Sequence, residues 1–274
     1  MNITTGYLNR LKPELTERDL RIIEQVGRFK LMTAGQIERL FFDEYADPRS
    51  GSTVGYSEKS RTRNRQAVLR RLVNHRMLAR VGVRRVGGSR RGSADYTYKL
   101  DVAGQHIARL TSARPRRPYK EYRPTDPHYL AVAELYVRLR ESERGGSLAL
   151  LHFEAEPYCW RTFAGSTLKP DAFVQVGVER GGQRRKGSFF VEVDRGDEHG
   201  PKISTKVPQY VAYWQYEQGS GRVFPQVLLL ETEHPRGSRY TEQRLRYLAE
   251  LVEGAPPLFQ VALFEDAVRL LSGQ

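Results

Sequence analysis

The chain has 274 residues, 39% of them hydrophobic, enough for one large or two ordinary domains with a buried core. No apolar run approaches the length of a membrane span, and Met1–Gly6 lacks the charged-then-apolar pattern of a secretory signal. Cys159 is the single cysteine, which excludes an internal disulfide or a cysteine-cluster metal site and makes a reducing cytoplasm the expected compartment.

The net charge of +13 is unevenly spread. Residues 1–124 carry 27 Lys and Arg against 12 Asp and Glu, while the remainder carries 18 against 20. The first predicted helix opens at Leu15-Thr16-Glu17-Arg18-Asp19-Leu20, with Thr16 as N-cap and Asp19 at the reciprocal position. Leu20, Ile22, Ile23 and Val26 form its apolar stripe. Thr33 and Gln36 repeat the start signal for a second helix, whose stripe is Ile37, Leu40 and Phe41. Residues 43–57, acidic and then rich in Gly and Ser, read as a loop.

A third helix is expected over 58–75, with Val68, Leu69, Leu72 and Val73 on its buried face. Arg61, Arg63, Asn64, Gln66, Arg70 and Arg71 are then left for solvent or a ligand. Met77 to Val86 and Tyr96 to Leu100 read as two strands joined by a Gly- and Ser-rich turn that carries Arg90 and Arg91. Three helices followed by such a hairpin describe a winged helix-turn-helix. Residues 59–91 hold twelve basic residues and no acidic one, a field that attracts polyanions. Double-stranded DNA is the expected partner, with the third helix in the major groove and the wing on the backbone or minor groove. A helix over 101–110 closes this domain, taken as residues 1–112, and the Pro- and Arg-rich stretch 113–127 reads as a linker.

From residue 128 the pattern is helix, three strands, helix, strand: a helix over 129–141, strands over 148–154, 170–178 and 189–194, a helix over 203–216 and a strand over 226–231. A further helix over 242–253 and an edge strand near 261–264 follow. The fold class is therefore α/β overall, an α+β winged helix followed by a mixed sheet flanked by helices over 128–274. Phe189, Val191 and Val193 share one strand face, which puts Glu192 and Asp194 on the other. If this strand pairs with the one that Asp171 begins, three carboxylates converge at the end of a sheet. That arrangement suits a hard divalent cation such as Mg. Lys206, Tyr210 and Tyr213 share a face of the following helix.

This order of elements, with Pro170-Asp171 on the second strand and Glu192-Val193-Asp194 on the third, resembles the core of PD-(D/E)xK nucleases. The resemblance implies that Asp171 and Glu192 hold a metal. Asp194 stands where the superfamily has a lysine, and Lys206 on the next helix is placed to supply it, as in branches that have moved that residue. Gln209 and Tyr213 match a Gln-x-x-x-Tyr spacing of some members, and Glu134 matches a first-helix carboxylate that such folds often add. The whole chain is also similar to the replication-relaxation family of plasmids and other mobile elements. That likeness rests on Leu15–Asp19, Val68–Val73, Tyr98–Gly104, His128–Tyr136, Leu168–Asp171 and Phe190–Gly196. It implies a role in replication or DNA relaxation. Two activities stay open: a metal-dependent endonuclease or nickase, and a non-catalytic initiator or regulator whose nuclease-like half serves dimerisation or partner binding. A homodimer is expected only by analogy with other winged helices.

Overall fold

The computed structural model describes residues 5–42, 44–46, 53–55, 57–84, 95–111, 126–195, 203–234 and 236–273. Arg90, Arg91 and most of the expected linker lie outside the described residues. The chain divides into two compact units, Met1–Val137 and Arg138–Gln274.

Unit one begins with α1 (Thr5–Leu11) and a 3-10 turn, neither of which the sequence pattern indicates. Helix α2 (Glu17–Phe29) starts at a complete capping box: the Thr16 hydroxyl accepts from the Asp19 N–H, and Asp19 accepts from the Thr16 N–H. Strand β1 (Met32–Thr33) leads into α3 (Ala34–Phe41), which opens on the same device built from Thr33 and Gln36. The stretch expected to be a loop contains a short hairpin, β2 (Glu44–Ala46) with β3 (Thr53–Gly55). Helix α4 (Glu58–Asn74) follows, then β4 (Leu78–Arg84), β5 (Asp95–Leu100) and α5 (Val102–Thr111). β1, β5 and β4 form an antiparallel sheet in that order.

Ile22, Ile23, Val26 and Phe29 of α2, Ile37 of α3, and Leu69 and Leu72 of α4 are all buried, so the apolar stripes of these three helices form the core. Gly104 on α5 is required by close approach: a Cβ there would lie 2.0 Å from the Met77 carbonyl oxygen. Helix α6 (Pro127–Arg144) spans the division of the chain, and its residues up to Val137 group with unit one.

Unit two is built on a five-stranded mixed sheet of order β12-β11-β10-β9-β6. Strand β6 (Ala149–Ala155) is followed by a small hairpin, β7 (Arg161–Phe163) and β8 (Ser166–Leu168), and then by β9 (Ala172–Arg180) and β10 (Gln183–Asp194). Helix α7 (Ile203–Glu217), β11 (Gln226–Glu231), α8 (Ser238–Val252), β12 (Phe259–Leu263) and α9 (Ala267–Ser272) complete it. β10, β11 and β12 run parallel, whereas β9 pairs antiparallel with both β10 and β6.

One face of the sheet packs Phe190, Val227 and Leu229 against Ile203, Val207 and Tyr210 of α7 and Leu248 of α8. This aromatic-rich layer fixes α7 over β10, with Phe190 against both Tyr210 and Tyr213. Strand β10 is six residues longer at its start than its apolar pattern indicates. Gly181 and Gly182, both at positive φ (56° and 74°), make the tight turn that lets polar residues 183–188 pair back onto β9. No helix among the described residues is long and apolar enough to cross a membrane.

Candidate functional site

Asp171 stands just before β9, and its N–H still bonds to the Val191 carbonyl at 3.1 Å, which continues the β9–β10 pairing. The carboxylate is pinned by this register: Oδ2 accepts from the Val193 N–H at 2.8 Å. Oδ1 accepts from the Lys206 ammonium at 3.3 Å. Glu192, on the same sheet face, is only 1% exposed. Its Oε2 accepts from Lys206 and its Oε1 from the Tyr210 hydroxyl at 2.7 Å. Lys206 and Tyr210 are four residues apart on α7 and so project together over the strand end. A carboxylate this deep would cost several kcal/mol if it were unpaired, and here the ammonium and the hydroxyl offset that penalty.

Burial, then the nearby Asp171 charge, pushes the Glu192 carboxyl up to about 8. For Lys206 burial acts to lower the pKa, but Glu192 and Asp171 outweigh it and hold the ammonium above its ordinary value. Tyr210 is raised well above the usual phenol range by burial and by Glu192, so it serves as a hydrogen-bond donor. Cys159 lies behind the site, donating to the Pro170 carbonyl at 2.9 Å. Burial and then Asp171 push its thiol up, which keeps it inert.

The remaining expected carboxylates are engaged elsewhere. Asp194 accepts from Arg244 Nε of α8 at 2.5 Å and lies opposite Glu231 on β11. The three-carboxylate convergence is thus not formed: among the described residues no group of three or more His, Cys, Asp or Glu side chains gathers as a metal cluster. Glu231 is fully buried, no donor reaches either of its oxygens, and in its protonated form it donates to Asp194. Burial, then Asp194, raises it to about 8. Glu134 belongs to unit one, where its carboxylate accepts from Gln36 Nε2 at 3.1 Å and Arg39 Nη1 at 2.7 Å. Tyr213 packs tilted against Phe163 and edge-on against Phe190 and Phe224, and Gln209 is exposed. Of the two tyrosines on that helix face, Tyr210 is the one that meets Glu192.

On α4 the basic residues sort into two sets. Arg61 and Arg65 form ion pairs with Glu38 of α3 at 3.0 and 2.9 Å, and Arg71 pairs with the buried Asp19 at 2.5 Å. Arg61 and Arg71, expected on the ligand side, therefore also tie the helices together. Lys59, Arg63, Gln66 and Arg70 are exposed, and Asn64 is half-buried. The spacing 59, 63, 66, 70 places the four exposed residues in one stripe. Sequence spacing alone missed Arg244, Glu231 and the Arg71–Asp19 pair, which join residues far apart in the chain.

The chemistry of the donor set, two carboxylates already sharing one cation from Lys206, fits a hard divalent metal held by Asp171 and Glu192. Neither curated proteins nor solved structures give a match to the chain. The replication-relaxation family model matches residues 23–227, a span that takes in both the α4 stripe and the Asp171–Glu192–Lys206 constellation, and the chain belongs to that family.

Proposed function

We propose that this is a DNA-binding protein of a plasmid or other mobile element, acting in its replication or relaxation, and that unit two is a metal-dependent DNA endonuclease or nickase of the PD-(D/E)xK type. In this reading unit one is a winged helix: α2, α3 and α4 pack on a three-stranded sheet, and the exposed stripe Lys59, Arg63, Gln66 and Arg70 faces the duplex. The family membership supports the replication or relaxation role. The observation that carries the nuclease reading is the buried Asp171–Glu192 pair closed by Lys206 and Tyr210. A cation and two acids brought together at a strand end, at the cost of desolvation, is an arrangement that structural packing alone does not require.

Asp171 and Glu192 would hold Mg, which when bound polarises a phosphate oxygen and lowers the pKa of an attacking water. The Val193 N–H fixes the Asp171 carboxylate, so its Oδ1 is presented without rotation. Tyr210 plays the same part for Glu192. Lys206 carries the positive charge that stabilises negative charge developing on the phosphate during cleavage. Arg244 holds Asp194 in place of the superfamily's Glu-x-Lys lysine, so the cation duty falls to Lys206.

The test is cleavage of supercoiled plasmid in Mg or Mn by the wild type, Asp171→Ala and Glu192→Ala. Nicking or linearisation that falls at least a hundredfold in both variants, with DNA binding retained, is the expected result. Full activity in both variants would place the chemistry elsewhere. No cleavage by the wild type, with salt-sensitive DNA binding intact, would leave a non-catalytic initiator or regulator.

A further inference from the structure

The hairpin formed by β9 and β10 extends past its neighbours. β6 pairs with β9 only as far as Gly177, and β11 pairs with β10 only from Phe189. Residues 178–180 and 183–185 beyond those points are held in the sheet by pairing with each other, around the Gly181-Gly182 turn, while Lys186 pairs with Gly177 at the last position that β6 reaches. Gln183, Arg184, Arg185 and Lys186 on this ribbon are all exposed. Among the described residues none of the three cations takes an ion pair, whereas Arg138, Arg140, Arg161, Arg244 and Arg269 of the same unit each do.

The concentration is local. Residues 138–274 carry 18 Lys and Arg and 18 Asp and Glu, so unit two has no overall field that would account for it. The register from Gln183 to Val191 is unbroken, so Arg184 and Lys186 lie on the sheet face of Glu192 and Arg185 lies on the opposite face. Glu179 lies opposite Arg184 on the first of these faces, so each face of the ribbon keeps a net positive charge. A projection charged on one face suits a flat anionic surface. One charged on both faces suits a slot with anionic walls on either side, and the major groove of duplex DNA admits a two-stranded β-ribbon.

We infer that the Gln183–Lys186 ribbon is a second DNA contact, entering a groove of the duplex with Arg184 and Lys186 toward one phosphate wall and Arg185 toward the other. The inference rests on the DNA reading above. Lys186 is six residues and Arg184 eight residues from Glu192 along β10, roughly 20 and 26 Å at about 3.3 Å per residue. The ribbon thus lies about six to eight phosphates, at about 3.4 Å per phosphate on one strand, from the proposed cleavage point. It would hold flanking DNA while the carboxylate end meets the reacting phosphate.

The experiment uses the full chain and a 30-base-pair duplex of random sequence in EDTA, followed by fluorescence anisotropy across a salt series. The triple variant R184S/R185S/K186S keeps the turn glycines and removes only exposed side chains, and its melting temperature checks the fold. Loss of three phosphate contacts is expected to lower the log–log salt slope by roughly 2.7 and to weaken binding at low salt at least tenfold. An unchanged slope and affinity, while Arg63→Ala or Arg70→Ala weakens binding, would overturn the ribbon contact and leave the DNA reading standing. Absence of duplex binding by the wild type would overturn both. Binding to anionic vesicles that the triple variant loses, with its DNA affinity intact, would make the ribbon a lipid contact and overturn the inference.

Discussion

Glu231 reaches its state through position alone: it ends β11 beside Asp194, away from water and without a hydrogen-bond donor. Burial and the Asp194 charge move its carboxyl from 4.5 to about 8. The native state thus keeps a proton that the unfolded chain has already lost. The stability this proton contributes is fully present below about 4.5 and is lost as pH rises through 8. Glu231→Gln has no proton to lose, and its amide N–H can donate to Asp194 as the protonated acid would. Its melting temperature should match the wild type near pH 5, exceed it increasingly up to about pH 8, and hold a constant lead above that. The difference in unfolding free energy should grow by at most about 1.4 kcal/mol per pH unit. Parallel melting curves across that range would show that Glu231 titrates as an ordinary carboxyl. None of this could be read from Gln226-Val227-Leu228-Leu229-Leu230-Glu231, an apolar run that marks a buried strand but does not reveal the neighbouring Asp194. Glu192 was legible as a candidate because strand alternation and a resemblance agreed on it. That Lys206 and Tyr210 share a helix face was legible from their spacing, though their convergence on Glu192 needed the sheet.

Helix α4 shows how one basic element divides its labour. Its inward edge carries the Arg61 and Arg65 pairs to Glu38 and the Arg71 pair to Asp19, while its outward stripe carries Lys59, Arg63, Gln66 and Arg70. Two adjacent arginines should therefore fail in different ways. Arg71→Ala strips the strongest partner from a carboxylate that is 0% exposed and also caps α2, which should cost about 1–3 kcal/mol in urea unfolding. Arg70→Ala should leave unfolding unchanged and weaken duplex binding by about fivefold to tenfold, read by anisotropy. The reverse pattern would mean that α4 presents a different face. The caps of α2 and α3 were visible in the sequence because each joins residues three apart. The Arg71–Asp19 pair links positions 52 residues apart, and no local pattern encodes it. The long β10 was hidden for a related reason: residues 183–188 lack alternation and extend only because the glycine turn folds them onto β9.

Over the whole chain the excess positive charge belongs to the first unit, whereas Asp171, Glu192, Asp194 and Glu231, four of the buried acids, belong to the second. The order of the longer elements was legible because they are strongly patterned, whereas β1, the β7–β8 hairpin and α9 are too short to leave such a pattern. The extents of α1, of the small β2–β3 hairpin and of the β9–β10 ribbon depend on partners, and only the folded chain reveals them. The ammonium between Asp171 and Glu192 has a consequence for how the protein lives in a metal-poor setting. Its second unit carries its own counter-ion, covalently attached and always present, so assembly does not wait on supply from outside. Thermal unfolding should be indistinguishable in a chelator and in metal-free buffer. Added Mg should stabilise only by mass action, about 1.4 kcal/mol at ten times its dissociation constant. A chain that melted on chelation, as zinc fingers do, would contradict this, and one that did not could be stored empty and armed on demand.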